Sequence, residues 1–173
     1  MKKIWMVLAA AALLWVAPTE AQNPNLPIVP QLDRARYVGR WYEVAYIPHW
    51  FERGCSNTTA TYTLAADGRL NVLNECIRDG KAHQAHGVAW HTGQGRDGEF
   101  NVRFFWPFNA PYWVIALDPE YQWAMVGQPS RHSLWILSRK RHLDFTIYKQ
   151  LIQKADEAMY EAKKAGRNQF AIG

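Results

Sequence analysis

Three absences narrow what this chain can be. It has no apolar run long enough to cross a bilayer: the longest, Ile4 to Val16, falls short of the roughly 20 residues a spanning helix needs. It has no basic stripe. Lys and Arg number 20 against 15 Asp and Glu, and the net +5 is spread along the chain, so no nucleic-acid surface is expected. It also lacks a catalytic constellation. There is no Ser-His-Asp arrangement, no glycine-rich phosphate loop, and no second carboxylate obviously paired with Glu43 for acid–base work. The chain is therefore not read as an enzyme, and no cofactor or metal is expected. Cysteine is scarce as well, with Cys55 and Cys76 the only two.

What is present is apolar and aromatic. Nine Trp and a hydrophobic share of 49% exclude a disordered chain and suit one domain with a sizeable core. Lys2 and Lys3 ahead of the Ile4–Val16 run, with small residues at Thr19 and Ala21, read as a secretory signal over residues 1–21. No cysteine stands near the expected cleavage point, so a lipid-modified N-terminus is not indicated. Pro24, Pro27 and Pro30 make 22–31 an extended linker. Asp33 is placed to cap a helical turn through Tyr37.

From Trp41 the chain reads as short strands between turns. Thr58–Leu64 alternates, Ala60, Tyr62 and Leu64 facing one way and the threonines the other. Asp67-Gly68 supplies a hairpin turn. The other strands are Trp41–Ile47, Arg69–Cys76, His83–His91, Phe100–Trp106, Tyr112–Leu117, Tyr121–Val126 and Leu134–Arg139, with Pro107 to Pro111 breaking the chain between two of them. Eight consecutive strands with short connections suggest a sandwich or an up-and-down barrel, and a barrel of eight is wide enough inside for one small ligand. Beyond residue 143, Ile147, Leu151, Ala155, Ala158, Met159 and Ala162 recur at helical spacing. They predict an amphipathic helix over about 145–165, ended near Gly166, whose stripe rests on the outer barrel wall. Phe170-Ala171-Ile172 is placed to add a short final strand.

Cys55 and Cys76 flank the Asp67-Gly68 hairpin. Pairing Leu64 with Arg69 sets them diagonally across two strands, within reach of a disulfide. Within one strand His83 and His86 point to opposite faces, which argues against a metal site shared with His91. Glu43 shares parity with Trp41, so it faces the interior and needs a partner such as Arg103 or a Tyr hydroxyl.

Gly39-Arg40-Trp41-Tyr42, Leu117-Asp118-Pro119-Glu120-Tyr121 and Leu134-Trp135-Ile136-Leu137-Ser138-Arg139 occur in the order and spacing of the lipocalin signature regions. Phe51-Glu52-Arg53-Gly54, Thr61-Tyr62-Thr63-Leu64, Asn71-Val72-Leu73-Asn74 and Ala110-Pro111-Tyr112-Trp113 support the match. The chain thus resembles the lipocalins, in particular the bacterial outer-membrane (Blc-type) members and apolipoprotein D. The resemblance implies an all-β fold: an eight-stranded antiparallel up-and-down barrel over about 39–139, in a domain 32–173, with a C-terminal α-helix packed outside. It implies a structural motif of Gly39, Trp41, Asp118, Tyr121 and Arg139, with Arg139 lying over Trp41 to close the floor. It implies a ligand pocket at Tyr62, Asn74, Phe104, Tyr112 and Trp135, and the strand parity of Tyr62 and Trp135 agrees.

The expected function is binding, transport or storage of a hydrophobic small molecule, a fatty acid or lysophospholipid, by a protein exported to the periplasm or outer membrane. Trp50, Phe51, Trp106, Phe108 and Trp113 are placed at loops, either as a rim for peripheral membrane contact or as a cap on the mouth. His49 and His132 fall in loops at the mouth. A homodimer is left open. Two alternatives stand beside this reading: a lipocalin-type isomerase or de-epoxidase, of which a reactive, unpaired cysteine would be the sign, and an envelope interaction module with a filled barrel. Residues 155–168 resemble the closing helix of diguanylate cyclase (GGDEF) domains. The chain has no Gly-Gly-Asp/Glu-Glu-Phe segment, and no cyclase activity is expected.

Overall fold

A computed structural model describes residues 26–49, 52–93, 95–160 and 171–172. The expected signal segment, Pro24, Trp50, Phe51, Ala162, Gly166 and Phe170 lie outside these residues.

A short helix α1 (Arg34–Tyr37) leads into eight antiparallel strands: β1 (Gly39–Tyr46), β2 (Ser56–Leu64), β3 (Leu70–Arg78), β4 (Lys81–His91), β5 (Glu99–Phe105), β6 (Phe108–Leu117), β7 (Trp123–Gly127) and β8 (Leu134–Ser138). Each pairs with the next, and β1 pairs with both β8 and β2, which closes the barrel. Helix α2 (Phe145–Ala158) follows, and the two residues of β9 (Ala171–Ile172) add to β1.

Period-two alternation sorts the side chains into two layers. Trp41, Tyr62, Leu70, Val72, Ala89, Phe100, Val114, Val126 and Leu137 point inward and form one core with Tyr37 and Leu32. Ile115, Met125, Leu134 and Ile136 point outward and meet Leu151 and Ala155 of α2 and its C-cap Met159. The helix therefore rests on the outer wall, as its stripe predicts. Asp144 caps it, accepting from the Thr146 and Ile147 amides at 2.9 and 3.3 Å.

Four local expectations need correction. The stretch before the barrel is more than a linker: Leu26 is buried against the helix side, and the Val29 amide donates to the Val114 carbonyl at 2.9 Å. Leu64 pairs with Leu70, not Arg69, because the turn spans Ala65 to Arg69, closed by the Ala65 amide on the Arg69 carbonyl at 2.8 Å. Pro107–Pro111 does not break the chain. Only a tight turn separates β5 from β6, and Pro111 lies inside β6 where that strand outruns β7, whose pairing starts at Trp113. A missing N–H is harmless at such an edge. Trp113 packs on the outer layer near α2 and is no rim residue.

Cys55 and Cys76 form a disulfide with their Cα atoms 5.5 Å apart. A register shift in β2 between Ser56 and Thr59 puts Ser56 opposite Ile77, and so sets Cys55 diagonal to Cys76 as expected.

Candidate functional site

Strand direction gives the barrel a closed and an open end. At the closed end stand the start of β1, the β2–β3, β4–β5 and β6–β7 turns, the end of β8 and α1. Asp33 caps α1 through the Ala35 and Arg36 amides, at 2.8 and 3.3 Å. Arg139 lies 3.7 Å from the centre of the buried Trp41 ring. Its guanidinium donates to the carbonyls of Arg36, Tyr37, Val38 and Arg40 at 2.8–3.2 Å, and to that of Tyr121 at 3.3 Å. A cation over an indole whose own N–H bonds the Tyr37 carbonyl at 2.8 Å seals the floor. Gly39 is required here: its φ is +96°, and a Cβ would lie 3.2 Å from the Arg139 guanidinium. Asp118 ties its turn by accepting from the Glu120 and Gln122 amides, and the Tyr121 hydroxyl accepts from the Asp33 amide at 2.9 Å. All five motif residues therefore act at the closed end.

Above the floor three tyrosines meet inside the barrel. The Tyr112 hydroxyl meets those of Tyr37 at 2.7 Å and Tyr62 at 2.9 Å. Burial holds all three neutral, with the Tyr62 hydroxyl pushed up to about 12. Two expected pocket residues, Tyr62 and Tyr112, thus line the base of the lumen, locked to Tyr37, which sequence reading did not include. Phe104 lies against β4 opposite Gly87, where a Cβ would stand 2.8 Å from its ring, so the missing side chain makes its room. Asn74 shares the inward parity of Leu70 and Val72, and its Oδ1 is buried without a donor from the protein.

Trp135 stands towards the open end. Its indole donates to Glu52 Oε1 at 3.0 Å, and the His49 ring packs 5.2 Å away. The segment between β1 and β2 thus reaches into the mouth with both side chains. Glu52 was missed because an irregular segment has no periodicity to assign a direction. His132 is exposed in the β7–β8 loop at this same end. Phe105, Trp106 and Phe108, at 75, 82 and 76% exposure, mark the β5–β6 turn beside the mouth.

Glu43 faces inward and is 8% exposed. Neither expected partner reaches it. Arg103 lies on the outer face, 5.4 Å from the Trp90 ring, and Glu43 Oε1 is buried without a donor. The second carboxylate thought absent is Glu52. Burial first, and then the charge of Glu52, push the Glu43 carboxyl up to about 9, while burial brings Glu52 to about 7. The native state thus holds a proton on Glu43 that the unfolded chain releases, and this group's contribution to stability falls as pH rises from about 4.5 towards about 9. Glu43→Gln should gain about 1–3 kcal/mol near neutral pH and flatten that decline, read by urea unfolding across the window. An unchanged pH profile contradicts a protonated Glu43.

A depression across β2–β5 is lined mainly by outward residues, among them Thr61, Thr63, Leu73, His86 and Arg103, and is also bordered by Phe104. His83 and His86 are exposed, and His91 is turned to the Arg96 carbonyl at 3.1 Å. Among the described residues no three potential metal ligands gather.

Comparison with known proteins agrees with this geometry. The lipocalin-like domain family model matches residues 32–169, running across the segment likened above to a cyclase helix, a likeness that no comparison supports. The outer membrane lipoprotein Blc of Escherichia coli K12 is 38% identical over 168 residues, covering 95% of each chain. Temperature-induced lipocalin-1 of Arabidopsis thaliana is 40% identical over 152 residues, covering 83% of this chain and 82% of its own. Insecticyanin from the tobacco hornworm Manduca sexta superposes with a TM-score of 0.64 at 20% identity, over 87% of this chain and 84% of that one. A family match spanning the whole barrel, on a barrel whose Trp41–Arg139 floor is in place, settles the assignment: this chain belongs to the lipocalin family.

Proposed function

We propose that the barrel is a calyx that binds and carries one single-chain lipid, a fatty acid or lysophospholipid, without transforming it. The observation that supports this reading is the polarity of the barrel: one end sealed by Arg139 on Trp41, the other bordered by Trp135, Glu52 and the exposed β5–β6 turn. Affinity would come from desolvation, about 0.8 kcal/mol per buried methylene less the cost of ordering the chain. The lining suits this, with Phe104, Val102 and Trp135 giving apolar area and Asn74 and the tyrosine hydroxyls the few polar groups.

Both cysteines are consumed in the disulfide and none is free, which argues against the isomerase or de-epoxidase alternative. The signal-like residues 1–21 and the likeness to a relative named as an outer-membrane lipoprotein support export to the cell envelope. Flotation with vesicles reads whether the aromatic turn also brings the barrel to a lipid surface. Loss of flotation in Trp106→Ser is the supporting result, and unchanged flotation the opposing one.

Trp135→Ala should weaken displacement of an environment-sensitive acyl probe by about tenfold to a hundredfold, since a large apolar contact is lost. Its circular dichroism should stay that of the parent. Equal affinity in the variant shows that the ligand does not reach Trp135.

A further inference from the structure

Three oxygens on the inner wall, Glu43 Oε1, Glu52 Oε2 and Asn74 Oδ1, are buried, and none meets a donor of the protein. Each can accept, and an ionised carboxylate accepts without donating. Glu43 is more than nine-tenths buried, and the charge that acts on it is that of Glu52. A register shift in β1 between Glu43 and Ala45 brings the chain back inward at Tyr46, which pairs with Trp135. Glu43 and Tyr46 therefore both face the lumen, three residues apart, where a regular strand would turn one of them out. The charges of Glu43 and Glu52 both act on Tyr46, and that of Glu43 acts on Tyr62.

Resting on the calyx reading above, we propose that Glu43 and Glu52, with the rings of Trp135 and Tyr46, form a headgroup subsite, and that the amphiphile it selects carries an ammonium nitrogen rather than a bare carboxylate. Carboxylates supply the countercharge, and electron-rich rings supply the cation–π face that ammonium groups take. A fatty-acid carboxylate would bring a third acid to two acids. Three arginines of the barrel are turned elsewhere. Arg139 lies under the floor, Arg103 stacks outside on Trp90, and Arg78, at the mouth end of β3, points a guanidinium nitrogen to the Cys55 sulfur at 3.2 Å. Burial lowers the His49 pKa, so the imidazole beside Trp135 is neutral at physiological pH.

Proton linkage gives the two ligand classes opposite signs. The pair holds protons into the neutral range. An ammonium group entering the subsite favours the ionised pair and releases a proton, so its affinity rises with pH. A carboxylate ligand needs the pair protonated, so its affinity falls with pH. The facing groups that share this environment are Tyr46 on β1, His49 and Glu52 before β2, and Tyr62 on β2.

The experiment is displacement of an acyl probe from the full chain by dodecyltrimethylammonium, dodecanoate and dodecanol, which share one chain length. At about pH 8 the ammonium should displace the probe at about tenfold lower concentration than dodecanoate, with the advantage shrinking towards about pH 6. The net charge of the chain is +5, so non-specific attraction favours the anion and cannot produce this order. Glu43→Gln combined with Glu52→Gln should bring the three ligands close to parity. If the double variant fails to fold, Glu52→Gln alone, at the less buried position, should shrink the advantage. Dodecanoate binding as tightly as the ammonium, or an advantage undiminished in the Gln variants, overturns the headgroup assignment. If the probe and dodecanol bind but the ammonium shows no preference, the calyx reading survives alone. If nothing binds, the calyx reading itself fails.

Discussion

Trp41→Ala should cost the barrel about 3–5 kcal/mol, a large loss for one substitution. The indole is fully buried and belongs to the inner core that joins α1 to β1, β2 and β8. Removing it opens a cavity beneath the tyrosine base, takes one donor from the Tyr37 carbonyl, and strips the Arg139 guanidinium of the ring it lies on at 3.7 Å. The neighbours cannot collapse into the space. Gly39 is pinned by its positive φ and by Arg139, and Tyr37 is tied to Tyr112. Denaturant unfolding should show a lower midpoint at an unchanged slope. A loss below about 1 kcal/mol would mean that the floor relaxes around the gap.

Replacing both cysteines by serine should cost about 3 kcal/mol, because the bridge closes a loop of sequence separation 21 and that loop regains its freedom when the chain unfolds. The position of the bridge adds a second consequence. Cys55 ends the segment that carries His49 and Glu52 into the mouth, and the disulfide anchors that segment to β3. Ligand affinity should therefore fall along with stability, whereas Trp41→Ala, acting at the far end, should lower stability and leave affinity nearly intact in the folded fraction. Calorimetric titration of both variants, paired with unfolding curves, separates the two ends of the barrel. Equal effects on affinity would show that the mouth is not held by the bridge.

The regular parts of the fold were legible because alternation writes strand faces into the residues. Ala60, Tyr62 and Trp135 fall on the inner side as their parity says, and Leu151, Ala155 and Met159 bury where helical spacing puts them. Interruptions of period were not legible. Pairing Leu64 with Arg69 across the Asp67-Gly68 turn set β2 on β3 one residue out, since the turn takes in Arg69 as well and Asp67 accepts from the Arg69 amide. The shift after Glu43 returns Tyr46 to the lumen against its simple parity. Glu52 carries no pattern, since only tertiary contact with Trp135 fixes its direction. The site was thus readable where it is made of strand and unreadable where a loop completes it. The headgroup end, Glu43, Tyr46 and Glu52, is that second kind.

Native mass spectrometry of the folded protein mixed with lysophospholipid and fatty acid tests the calyx most directly. The calyx predicts a saturable adduct of one lipid per barrel, lost on denaturation and weakened in Trp135→Ala. A bare protein mass at every lipid concentration, or adducts that accumulate without saturation and ignore Trp135→Ala, would contradict it.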